Sequence, residues 1–115
     1  MQNLNINKKF LIFIPAYNVE KKIVSVIERI PKSVFNDQKI EILIIEDFSK
    51  DNTRKVIKDY LANKNNNITI RTIINEKNFG YGGVQKIAFD YAITNNFDFA
   101  IMLHGDGQYA PEKIP

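Results

Sequence analysis

Lys39-Ile40-Glu41-Ile42-Leu43-Ile44-Ile45 runs straight into Glu46-Asp47-Phe48-Ser49-Lys50-Asp51. The first part is mostly β-branched and apolar, the signature of a buried strand. The second part is polar and acidic, which a core has no use for. Two adjacent carboxylates at the end of a buried strand repel each other unless something uses them. Their side chains point in opposite directions along an extended backbone, so one of the two is expected to face a pocket.

Working outward, the same alternation repeats. Residues 9–15 form a nearly continuous apolar strand, after which Val19, Ile23, Val26, Ile27 and Ile30 recur at helical spacing. Asn18 is placed to cap that helix and Pro31 to end it. Val56, Ile57, Tyr60 and Leu61 mark a second helix, opened by Ser49 or Asp51. Residues 68–74 alternate as a third strand, and Val84, Ile87, Ala88, Tyr91 and Ala92 give a third helix. Residues 97–103 make the fourth strand. The order βαβαβαβ implies an α/β domain with a mostly parallel sheet covered on both faces, because each crossover must return to the sheet.

At 115 residues the chain is one domain with room for an ordinary core. No apolar run approaches the ~20 residues of a membrane span, and the N-terminus lacks a basic-then-apolar leader. The absence of cysteine excludes disulfides and thiolate metal sites and fits a cytoplasmic location. The net charge of +3 and pI near 9.1 favour an anionic ligand. The lysines are scattered and build no basic stripe, so no nucleic-acid partner is expected.

In open parallel sheets ligands bind outside the carboxyl ends of the strands, where the strand order reverses. Those ends carry Pro15-Ala16-Tyr17-Asn18-Val19-Glu20, then Glu46–Asp51, then Asn75-Glu76-Lys77-Asn78-Phe79-Gly80-Tyr81-Gly82-Gly83, then His104-Gly105-Asp106-Gly107-Gln108. The opposite rim offers only turn chemistry. Several of these residues also have plain structural readings. Tyr17 and Asn18 fit a packed aromatic and a cap, Glu20 fits the helix dipole, and Ser49 and Asp51 fit caps. The Gly80–Gly83 stretch matches neither the P-loop nor the dinucleotide fingerprint. It reads as a helix entry that lets a ligand approach.

His104 and Asp106 lie two apart and would face the same way on an extended strand. Together they could present an imidazole and a carboxylate to Mg²⁺ or Mn²⁺, with His tilting the choice toward Mn²⁺. His104 fits a hydrogen-bonded neighbour of the metal as well as a ligand. Zinc is not expected without further His or Cys.

Pro15-Ala16-Tyr17-Asn18, Glu46-Asp47-Phe48-Ser49-Lys50-Asp51, Asn78-Phe79-Gly80 and Gly105-Asp106-Gly107-Gln108 with Pro111-Glu112, in this order, resemble family-2 glycosyltransferases. They look most like the branch of polyprenyl-phosphate sugar transferases. The resemblance implies a three-layer, Rossmann-like half of a GT-A fold that takes a UDP- or GDP-sugar. Carried over by motif, Ala16 and Tyr17 would border the nucleotide base, with Pro15 also among the nucleotide-binding residues; Asp47 would hydrogen-bond the base and Glu20 would reach the ribose. Gly80 would lie at the nucleotide. His104, Gly105 and Asp106 would form the donor phosphate region, with Asp106 on the metal.

His104 stands where that family often has Asp, Val19 where it often has Glu, and Glu46 where the first of two Asp residues is usual. The general base of inverting members is expected beyond Pro115, so residues 1–115 are expected to be the donor-binding part of a longer enzyme. Any membrane association would come through downstream segments. The competing expectations are a non-catalytic nucleotide-binding or interaction module and a nucleotidyltransferase. The latter lacks support because such enzymes open with a glycine-rich basic loop after the first strand.

Overall fold

A computed structural model describes residues 8–35 and 39–105. Four strands, β1 (Lys9–Ala16), β2 (Lys39–Glu46), β3 (Thr69–Ile74) and β4 (Phe99–Met102), alternate with helices α1 (Ile23–Glu28), α2 (Thr53–Asn63) and α3 (Gly80–Thr94). A short 3-10 turn, Lys32–Phe35, precedes β2. The strands form one sheet in the order β3-β2-β1-β4, and every neighbouring pair is parallel.

Three layers follow from the pleat. Successive residues of β1 and β2 point to opposite faces. Ile12, Ile14, Ile42 and Ile44 therefore pack with Ile23, Val26 and Ile27 of α1 and Ile57 of α2. Leu11, Phe13, Leu43 and Ile45 pack on the other face with Val84, Ala88 and Ala92 of α3. Burial on both faces is why β1 and β2 read as continuous apolar runs.

The chain winds outward from β1 to β3 along one face. It then crosses back over the other face through α3 to reach β4 on the far side of β1. The strand order thus reverses between β1 and β4, which opens a crevice at their carboxyl ends. The register keeps those ends level: Ala16 pairs with Glu46, Glu46 with Ile74, and Phe13 with Met102. The ladder continues one step beyond the strands, Asp47 N–H donating to the Ala16 carbonyl and Asn75 N–H to that of Glu46, both at 2.9 Å. Asp47 and Asn75 are thereby fixed side by side.

The helices differ from the sequence expectation at their starts. Asn18 does not cap α1; its φ of +53° places it in the left-handed region, and the helix begins only at Ile23. The intervening turn is held by Lys22 and Ile23 N–H groups donating to the Val19 carbonyl, both at 2.9 Å. Ser49 does not open α2, whereas Asp51 does accept the Thr53 N–H at 2.9 Å.

Two tyrosines tie helices to neighbouring elements. The Tyr60 hydroxyl of α2 donates to Glu28 at the end of α1, and the Tyr91 hydroxyl of α3 donates to Glu41 of β2. Burial, reinforced by these carboxylates, raises both phenols from the ordinary 10.0 to about 12. Since the folded state holds these protons more tightly, their contribution is complete below about pH 10 and is lost as pH rises toward 12. A tyrosinate absorbance titration is expected to show two late-ionising phenols, with stability falling across that window. Replacing Tyr60 and Tyr91 by Phe should remove the late phase.

Candidate functional site

At the reversal point lies an open cleft of about 330 Å³, lined by Pro15, Ala16, Tyr17, Val19, Asp47, Asn78, Gly80, Tyr81, Val84, His104 and Gly105. All four strand ends contribute to its walls or to their support. The loops after β1 and β2 are zipped together. Asn18 N–H donates to Ser49 Oγ at 2.9 Å, and Lys50 N–H returns a bond to Asn18 Oδ1 at 2.8 Å. Val19 N–H donates to the buried Thr53 Oγ1 at 2.8 Å. Tyr17, held between these anchors, remains 42% exposed beside the cleft.

The carboxylate pair divides as the pleat requires. Glu46 is fully buried and turned away from the cleft: Oε1 accepts Ser49 N–H at 2.7 Å and Oε2 lies 3.4 Å from Arg54 Nη2. Asp47 lies in the cleft wall. Its Oδ1 accepts the Asn75 amide and Phe79 N–H, each at 2.9 Å, and Oδ2 accepts Gly80 N–H at 3.0 Å. The Asn78 amide donates to the Asp47 carbonyl at 3.1 Å. Asp47 therefore caps the N-terminus of α3 from another strand end, a role favoured by the helix dipole. Those helix N–H groups are already taken by a carboxylate. The glycine stretch is thus a helix entry whose first donors serve Asp47.

A sharp turn presents Asp47. Phe48 has φ +64°, a left-handed conformation that a bulky side chain adopts at a cost of about 1–2 kcal/mol. The chain leaves β2 abruptly there, immediately after Asp47.

Across the cleft, Tyr81 stacks on His104 with ring centroids 5.8 Å apart and planes 15° from parallel. The Tyr81 hydroxyl lies 3.3 Å from His104 Nε2. Gly105 is buried, and a Cβ on it would stand 2.8 Å from the Pro15 carbonyl oxygen. Only glycine lets the β4 exit pass this close to the β1 exit.

Of the residues expected at the site, Pro15, Ala16, Tyr17, Asp47, Gly80, His104 and Gly105 line the cleft. Glu20 does not. After the left-handed turn at Asn18, Glu20 faces α2: its Oε1 lies 3.4 Å from Asn52 N–H, and its own N–H donates to Asp51 Oδ2 at 3.3 Å. Burial works against ionised Asp51, but the Thr53 hydroxyl, Thr53 N–H and Glu20 N–H outweigh it and hold the carboxyl below its usual range. Asp106 lies outside the described residues, and among those described no three His, Cys, Asp or Glu residues gather for a metal.

Asn75 was not singled out from the sequence. Its signal is positional, since it is the first residue after β3 and the parallel register places it beside the acid that follows β2.

A doubly wound sheet with a polar crevice at its switch point defines a class, and solved structures place the chain within it. It matches S. aureus TarS 1-349 in complex with UDP-GlcNAc (TM-score 0.65, 24% identity, 85% of this chain and 26% of that one). It also matches a Pyrobaculum calidifontis mannosyltransferase in complex with GDP-Man and Mn²⁺ (TM-score 0.66, 14% identity, 87% and 28%). The fold is that of the GT-A glycosyltransferases.

The sequence carries this further. The model of glycosyl transferase family 2 matches residues 11–115. A UDP-N-acetylglucosamine–dolichyl-phosphate N-acetylglucosaminyltransferase of Methanococcus voltae is 33% identical over 117 aligned positions, covering 94% of this chain and 45% of that enzyme. The chain belongs to glycosyltransferase family 2. It spans less than half the length of the curated relatives it matches. Among the described residues no helix is long and apolar enough to cross a membrane.

Proposed function

We propose that residues 1–115 form the nucleotide-sugar-binding region of a family-2 glycosyltransferase that uses a UDP- or GDP-sugar. The observation that carries this reading is Asp47, a nearly buried carboxylate in the cleft wall with one acceptor position left after its three protein donors. Such a group suits a base N–H, with Pro15, Ala16 and Tyr17 bordering the ring. The UDP-GlcNAc and GDP-Man bound by structures of the same fold support the donor class.

The donor's diphosphate is assigned to the His104 and Gly105 side of the cleft, and Asp106, the next residue in sequence, would hold a divalent cation, Mg²⁺ or Mn²⁺. Mn²⁺ in the mannosyltransferase complex supports that choice. When bound, the cation offsets the negative charge that builds on the departing diphosphate. His104, whose Nε2 lies beside the Tyr81 hydroxyl, would steady that wall of the cleft. Glu20 contributes at the ribose only if its carboxylate leaves the α2 terminus.

The acceptor class we assign is a polyprenyl phosphate, by analogy with the dolichyl-phosphate relative, which fits work at the cytoplasmic face of a membrane. Calorimetry is expected to show UDP- or GDP-sugar binding that strengthens with Mn²⁺ or Mg²⁺, and Asp106→Ala is expected to abolish the metal dependence. A folded protein that binds neither donor contradicts the reading.

A further inference from the structure

We propose that Asn75 is a positioning residue for base recognition: its buried amide orients Asp47 so that Oδ2 keeps one acceptor position for a single N–H of the nucleotide base. The inference rests on the donor-binding reading and adds a residue that no motif of the site includes.

Asn75 is 5% exposed, and its side-chain amide donates to Asp47 Oδ1 at 2.9 Å. Its backbone is fixed at both polar groups. The N–H donates to the Glu46 carbonyl at 2.9 Å, and the carbonyl lies 3.4 Å from Arg54 Nη2. A side chain on so constrained a backbone has little freedom to point elsewhere.

The donor count gives the chemistry. A carboxylate offers about four acceptor positions, two on each oxygen. Asn75 and Phe79 N–H fill both positions of Oδ1, while Gly80 N–H fills one of Oδ2. Without the Asn75 amide, the two backbone donors alone would leave an acceptor position on each oxygen. The open position on Oδ1 would then compete with that on Oδ2 for water and for the base N–H, and the base would meet a less directed partner. Asn75 thus converts a general acceptor into a directed one without touching the ligand.

The test is a cycle of protein and ligand changes. Wild type, Asn75→Leu and Asn75→Ala are titrated with UDP and N3-methyl-UDP, or with GDP and N1-methyl-GDP, whichever parent nucleotide the wild type binds. Asn75→Leu nearly keeps the volume and removes the donor without adding a second carboxylate beside Asp47, so it serves if Asn75→Ala fails to fold. Wild type is expected to lose about tenfold on base methylation, the scale of one hydrogen bond to a charged acceptor. The variants are expected to bind the unmethylated nucleotide about tenfold more weakly, with the methylation penalty almost gone.

A variant that keeps wild-type affinity overturns the inference. So does one that binds weakly with the full methylation penalty, because that pattern is a general structural loss. A wild type that binds but ignores methylation overturns it too. If the folded wild type binds neither UDP nor GDP, the donor-binding reading itself has failed.

Discussion

Asp47→Ala is expected to lower folding stability by about 2–3 kcal/mol and to abolish nucleotide binding at the same time. The stability loss follows from three donors. Phe79 N–H and Gly80 N–H open α3, and the Asn75 amide is buried beside them; all three lose their acceptor together. Water reaches the helix end more easily than the Asn75 amide, so the cost stays below three separately buried donors. Loss of the helix cap also loosens the first turn of α3, which carries Tyr81 into the cleft wall. Urea unfolding measures the first effect and calorimetry the second. Asp47→Asn, which keeps Oδ1 as an acceptor but sets an amide against Gly80 N–H, is expected to fall between alanine and wild type in stability. A fully stable Asp47→Ala protein would mean that α3 is held by its packing alone.

The second large effect concerns Gly105. A Cβ there would stand 2.8 Å from the Pro15 carbonyl oxygen, 3.4 Å from Ile14 Cγ2 and 3.5 Å from Ile23 Cδ1. The first of these is a backbone atom of the central strand exit, which has no rotamer through which to escape. Gly105→Ala is therefore expected to cost about 1–3 kcal/mol by overpacking. Relief must come from moving the β4 exit away from β1, and that displacement reshapes the cleft between Ala16 and His104. Chemical denaturation and nucleotide affinity should both register the change. An alanine variant with unchanged midpoint and unchanged affinity would show that the crossing of these two chain segments is looser than the geometry requires.

The sheet was legible because its residues are buried on two faces: Leu11–Ile14 and Ile42–Ile45 have almost no exposed surface. Apolar continuity records that directly, and the βαβαβαβ order then fixes which rim bears a site. That only one of Glu46 and Asp47 would face the cleft also followed from the pleat, whereas the choice of Asp47 came from the family resemblance. Helix starts were less legible, because long-range bonds decide them. Asn18 looks like a cap in sequence, yet its partners are Ser49 and Lys50, more than thirty residues away. Asp47 likewise caps a helix that begins at Gly80. Local propensity contains no trace of such pairings, and only the strand register brings them together. Glu20 shows the same limit, since a motif assigns it to a ribose while the turn at Asn18 directs it to α2.

We propose that the crevice between the β1 and β4 exits holds a nucleoside diphosphate. Amide chemical shifts recorded while UDP and GDP are added, with and without Mg²⁺, test it most directly. One of the two nucleotides is expected to shift the amides of Ala16, Tyr17, Asp47, Gly80, His104 and Gly105 in a saturable way, while those of Lys39, Ile40 and Thr69 on the opposite rim stay still. A well-folded spectrum that neither nucleotide changes, or shifts confined to that opposite rim, would contradict the account.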